Sequence, residues 1–188
     1  MHGDSVRFGF WSDSGSRVLT ACEPNAMEQR VDDHLKRVGV RYEVVECDPD
    51  LADTAAFCEA YGYSAEDSAN TILVVGKSDP VRYVACVLLA TTKLDVNHAV
   101  RDRLGVRKAS FADAAQTIEL TGMAIGGVTA LGLPPDIPVW VDRRVTTRSR
   151  IVLGGGSRRR KIVAPPDVLT SAPEVEVVDG LATEIGRK

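Results

Sequence analysis

Residues 121–142, TGMAIGGVTALGLPPDIPVWVD, place two glycines side by side between apolar residues. A glycine in such a setting costs stability unless its missing Cβ serves a positive φ angle or the close approach of another group. Two readings stay open for Gly126 and Gly127. In one they make a tight bend while Ile125 and Val128 enter the core. In the other, consecutive N–H groups at Gly126, Gly127 and Val128 form a concave donor site for a carbonyl oxygen or carboxylate, with Thr129 adding a hydroxyl. The chemistry of that second reading is oxyanion stabilisation. Hydrolysis of an activated ester asks little of side chains once fixed donors polarise its carbonyl, one such donor being worth about 3 kcal/mol.

A second glycine stretch, GGGSRRRK, ends a run of cations. Arg143, Arg144, Arg148, Arg150, Arg158, Arg159, Arg160 and Lys161 have no acid among them, although the net charge of the 188 residues is only -3. That run is either an anion-seeking surface or a solvated arginine-rich hairpin. It is not a nucleotide P-loop, because the G-x-x-x-x-G-K-[ST] spacing is absent. Cys22, Cys47, Cys58 and Cys86 contain no C-x-x-C pair, and His2, His34 and His98 have neither metal-ligand nor triad spacing, so buried thiols and no metal are expected. Asp142 reads as the cap of the turn before Arg143, or alternatively as an acid that orients a ligand amine. Trp140 reads as core packing, with a base-stacking platform as the alternative.

The elements that must position these residues follow from periodicity and caps. NAMEQRVDDHLKRVG is a helix between Asn25 as N-cap and Gly39 as stop. RYEVVEC alternates as a strand, and DLADTAAFCEAYG returns to helical spacing before Gly62. NTILVVG and RYVACVLLA, separated by KSDPV, read as an antiparallel hairpin buried on both faces. Two short helices follow, one from Asp95 to Gly105 and one ending at Gly122. Strands are expected in IPVWVD, RIVLG and KIVA, and a last helical turn after Pro165 and Pro166. Residues 1–23 read as a flexible extension, residues 24–171 as one domain and residues 172–188 as a tail. No stretch approaches the roughly 18 apolar residues of a membrane helix, and no secretory signal is visible, so a cytoplasmic protein is expected.

The buried hairpin, LGVRKASFAD, the helix ending in TG, GGVTALG, PVWVD and GGGSRRRKIVAPPDVL together resemble the YbaK-like aminoacyl-tRNA deacylase family. That family includes the editing domain of bacterial prolyl-tRNA synthetases and its free-standing relatives, and the resemblance spans residues 24–171. It implies a mixed α/β fold with a central, largely antiparallel, barrel-like sheet and flanking helices. It also implies a trans-acting hydrolase that cleaves the ester of a mischarged tRNA, including prolyl-tRNA, without metal or organic cofactor. The partners are then tRNA and an aminoacyl-tRNA synthetase; a module that binds aminoacyl-tRNA or a similar acylated ligand without catalysis is the alternative.

Relatives hold the aminoacyl group on the amides of a G-x-x-x-P loop, which falls on Gly126 to Ala130. The resemblance therefore puts Gly126, Gly127, Val128, Thr129 and Asn70 in the catalytic part of the site, and Ala130, Asp142, Gly155, Gly156 and Lys161 near the substrate. Arg158, Arg159 and Arg160 are then phosphate contacts to the acceptor stem, a role without base-specific geometry. This sequence departs from the family pattern at three positions: Asn70 replaces a lysine, Ala130 replaces the closing proline, and Lys161 replaces an aspartate. Lys161 either brings a cation into the pocket or turns outward with the arginines.

Overall fold

The structure, a computed structural model, describes residues 25–185; the extension expected over residues 1–23 lies outside them. Helix α1, Ala26–Val38, starts where the Asn25 side chain accepts from the amides of Met27 and Glu28 while Glu28 reaches back to the Asn25 amide, and it stops where Gly39 takes a φ of 70°. Its inner face carries Val31, His34 and Leu35 into the core.

Strand β1 (Glu43–Glu46) is followed by a short helical turn at Pro49–Leu51 and helix α2 (Thr54–Tyr61). Strands β2 (Ala69–Gly76) and β3 (Arg82–Leu89) form the expected antiparallel hairpin, in register from Ala69 opposite Leu89 to Gly76 opposite Arg82. Strand β4 (Thr92–Leu94), a helical stretch from Val96 through α3 (Arg101–Leu104), β5 (Ala109–Phe111) and α4 (Ala114–Thr121) come next. Then follow β6 (Val139–Asp142), α5 (Arg143–Thr146), β7 (Ile151–Gly154), β8 (Arg160–Ala164), α6 (Asp167–Thr170), β9 (Val175–Val178) and β10 (Ala182–Glu184).

The sheets are open, which corrects the barrel-like expectation. A five-stranded sheet runs β5-β2-β3-β6-β9, a three-stranded one β1-β8-β7, and β10 pairs with β4. Most pairs are antiparallel, but β6 is parallel to both β3 and β9. A single bridge between Ser68 and Val152 joins the two larger sheets. Strands of four or five residues in the smaller sheet run out before a ladder to β2 can form, so the ring never closes.

One core cluster lies under α1, joining Leu73, Val87 and Val141 of the large sheet to Leu153 and Ile162 of the small one. The opposite face of the large sheet packs Val84, Cys86 and Trp140 against Val96, Leu104 and Leu181. Trp140 is thus a packing residue, with the Arg103 guanidinium 5.3 Å from its ring centroid. Burial pushes the Cys86 thiol up to about 12. The stretch read as a tail supplies β9 and β10: alternation in VEVV is too short to announce a strand, and its partner β6 lies far back in the chain.

Candidate functional site

Backbone meets backbone at the glycines. A Cβ on Gly127 would sit 2.4 Å from the carbonyl carbon of Ser157, and one on Gly154 would sit 2.2 Å from the carbonyl oxygen of Val128. The amide of Gly156 donates to the Gly127 carbonyl at 3.0 Å. The two glycine loops therefore lie directly on each other, and Gly127 and Gly154 leave the room for that contact. Gly155 packs on Arg160, and Gly156, at φ 89°, packs on the Met27 carbonyl of α1. At Gly126, with φ 90°, the close neighbour is a side chain, the Arg158 guanidinium.

A cavity of about 310 Å³ opens beside this junction. Asn70, Thr71, Ile72 and Leu73 of β2 form one wall, and Gly126, Val128, Gly154 and Lys161 form another. Ala52, Asp53, Thr54, Ala112, Thr117 and Ile125 also line it. Gly155 and Gly156 do not line it. The Gly127 amide donates to the Ala124 carbonyl at 2.9 Å in a tight turn, so it is spent. No acceptor among the described residues takes the amides of Gly126 and Val128, two residues that line the cavity. The bend exists, but Ile125 is 48% exposed and lines the cavity instead of entering the core, and Val128 is only half-buried. Of the three expected donors, the amides of Gly126 and Val128 are uncommitted among the described residues.

Lys161 is 6 % exposed and turned inward. Its Nζ donates to the carbonyls of Ala52 and Gly126, at 2.5 and 2.8 Å, and stands 5.6 Å from the Phe57 ring centroid. Burial first, and then the Arg158 charge, hold the ammonium below the usual lysine value, while Cys47 and Asp53 pull the other way. Across the cavity the Thr54 hydroxyl donates to Asn70 Oδ1 at 2.8 Å. That bond fixes the amide and leaves the two N–H donors of Asn70 Nδ2 uncommitted. Thr71 also lines the cavity, and its buried hydroxyl has no hydrogen-bond partner among the described residues.

Other expected site residues are placed elsewhere. Thr129 is fully buried and its Oγ1 accepts from the Leu131 amide, while Ala130 belongs to the main core cluster. Asp142 caps α5 through the Arg144 amide and accepts from the Ala182 amide, at 3.0 and 2.9 Å, so its oxygens are committed.

Most of the arginine run pairs with acids, all but Asp142 distant in sequence. Arg143 pairs with Asp179, Arg144 with Asp142, Arg148 and Arg150 with Asp67, and Arg160 with Asp32. Arg158 donates to the carbonyls of Pro49 and Ile125, at 2.8 Å each, and pairs with Asp53 at 3.3 Å. It therefore ties the glycine loop to the rim before α2. Arg159 remains exposed and without an ion-pair partner among the described residues. Asp53, Thr54 and Thr71 escaped sequence reasoning because Asp53 looks like a helix cap. Its side chain makes no capping bond and faces Arg158 instead.

A family model described as an aminoacyl-tRNA editing domain matches residues 48–171. Among solved structures, a hypothetical protein superposes with a TM-score of 0.73 at 24% identity, over 82% of this chain and 99% of that one. A protein described as a candidate trans-editing enzyme for prolyl tRNA synthetase superposes with a TM-score of 0.70 at 24% identity, over 82% of this chain and 96% of that one. These likenesses establish a shared fold.

Proposed function

The chain belongs to the aminoacyl-tRNA editing domain family, and on that premise we propose that it is a trans-acting deacylase that hydrolyses the ester of a mischarged tRNA. The observation that carries this reading is a cavity lined by Gly126 and Val128, whose amides are unspent, by Asn70, whose two amide donors are uncommitted, and by the buried ammonium-bearing Lys161.

The aminoacyl end enters the cavity with its ester carbonyl toward Gly126 and Val128. Water attacks the carbonyl carbon, the developing oxyanion is held by those two amides, and the bond to the ribose oxygen breaks. The proton lost by the water ends on that ribose oxygen, giving a free amino acid and an intact tRNA. Asn70 donates to the ribose or the ester oxygen. Lys161 supplies, from β8, the positive charge that the family resemblance places at position 70; it braces the Gly126 carbonyl and adds a favourable potential for the oxyanion. A cavity near the lower end of ligand-site volumes admits a small acyl group and rejects a bulkier one by contact with backbone, which a rigid loop does better than attraction can. The name of the structural relative makes the misacylated products of prolyl-tRNA synthetase the first to try.

Purified protein incubated with a panel of mischarged tRNAs, those of prolyl-tRNA synthetase included, is expected to release amino acid from at least one at a rate well above buffer. Salt-sensitive tRNA binding with no acceleration for any pair would replace the deacylase with a binding module, the reading favoured by the missing charge at Asn70.

A further inference from the structure

With all of the arginine run except Arg159 held in internal pairs, a denser group of uncommitted positive charge lies elsewhere. Four cations meet at one corner of the large sheet. Lys77 follows β2, Arg82 opens β3 opposite Gly76, and Arg107 and Lys108 precede β5. The corner is tightly built: the Lys77 amide donates to the Lys108 carbonyl at 2.8 Å, and the Arg82 guanidinium donates to the Leu104 carbonyl at 2.6 Å. A Cβ on Gly76 would lie 3.1 Å from Val106, so the two segments are pressed together. All four cations are exposed, and none has a carboxylate within ion-pair distance among the described residues. The nearby acids are Asp102, which pairs with Arg101, and Asp79, which leaves the corner positive.

Its position relative to the cavity is set by the edge strand. Strand β5 starts right after Lys108 and runs to Phe111, and the next residue, Ala112, donates to the Leu73 carbonyl at 2.9 Å and lines the cavity. Four residues of extended chain span about 13 Å. A nucleic-acid strand advances about 3.4 Å per nucleotide when stacked. An acyl-bearing 3′ end seated in the cavity therefore brings phosphates only a few nucleotides back to the corner.

We propose that Lys77, Arg82, Arg107 and Lys108 form the surface that holds the RNA backbone of the acceptor end, with the strand following β5 from the cavity to the corner. This inference rests on the proposed deacylase for the direction of the strand, but its test reads binding alone. The recognition is of phosphates and carries no base specificity.

The experiment measures binding of a labelled RNA hairpin with a single-stranded 3′ end, uncharged, by fluorescence anisotropy across a salt series. The proteins are the wild type, the triple variant Lys77→Ser/Arg107→Ser/Lys108→Ser and the single variant Arg159→Ser. Arg82 is left in place because its bond to Leu104 supports the fold. Removing three cations that each meet a phosphate should flatten the slope of log K against log salt by about two to three and weaken binding by at least about tenfold near 0.1 M salt. Arg159→Ser should change the slope by no more than about one. Circular dichroism and thermal melting of the triple variant should match the wild type, because the three side chains are exposed. A triple variant with an unchanged slope, a larger loss from Arg159→Ser, or equal competition by poly-glutamate of matched charge would each overturn the assignment. Because the RNA carries no ester, a protein that hydrolyses nothing can still pass or fail this test.

Discussion

At Lys161 an ammonium is buried against two carbonyls and an aromatic ring instead of a carboxylate. Such a group has a lowered proton affinity in the folded protein, and the unfolded chain holds the proton more tightly. The contribution of this group to stability is therefore fully present above the ordinary lysine value of 10.5 and is lost as pH falls through the lower folded value, where the buried amine must carry its charge. Catalysis has the opposite need, since the oxyanion gains from the charged form. The enzymatic rate, corrected for buffer hydrolysis, should decline along an alkaline limb whose midpoint lies below 10.5. Lys161→Met should remove that limb and lower kcat/KM by about 10- to 100-fold, the range for one hydrogen bond to a charged group. A pH profile with the same limb in Lys161→Met would assign the titration to another group. Asn70→Ala, which removes a neutral donor, should cost less, about fivefold.

Two glycine loops stacked backbone on backbone form the element that shapes the site. Gly127 and Gly154 have no room for a methyl group, and the atoms in the way belong to the main chain, so neither can swing aside. Gly154→Ala should force the two loops apart and cost about 1 to 3 kcal/mol, the range for overpacking. Chemical denaturation would show this as a lower midpoint with unchanged slope. Gly127→Val consequently reports on folding before it reports on chemistry, and a midpoint equal to wild type would mean that the loops do not press on each other. Sequence reasoning recognised both glycine motifs but could not see that each is the other's reason. A missing Cβ announces that something comes close and does not say what. Helix limits were more legible: Asn25 and Gly39, or Asp113 and Gly122, make their capping bonds within four residues, where sequence neighbours settle the geometry.

Over the whole molecule, what stayed illegible is what depends on distance along the chain. The arginine run looked acid-free because its partners Asp32, Asp53, Asp67 and Asp179 come from other segments, and the inward turn of Lys161 depends on the carbonyls of Ala52 and Gly126. The same holds for the C-terminal stretch, whose strands lie outside the family match. Strand β9 extends the large sheet beside β6, while β10 pairs with β4 and sets Leu181 into the second core cluster. The Ala182 amide satisfies buried Asp142, and the Ala182 carbonyl accepts from Arg144. Truncation after Ser171 would expose the apolar surface covered by Val178 and Leu181 and leave the Asp142 carboxylate without one of its donors. The loss from those two side chains alone is about 3 to 6 kcal/mol, a large part of the roughly 5 to 15 kcal/mol that holds a domain together. Thermal melting should show the truncated chain unfolding about 10 to 20 °C lower, or already unfolded at 37 °C. A truncated chain that melts with the full one would make β9 and β10 a docked appendage. The large fall expected here would mean that the folding unit extends past the family match, because the sheet on which Trp140 and Asp142 are mounted is completed only by β9 and its second face is covered by Leu181 before β10.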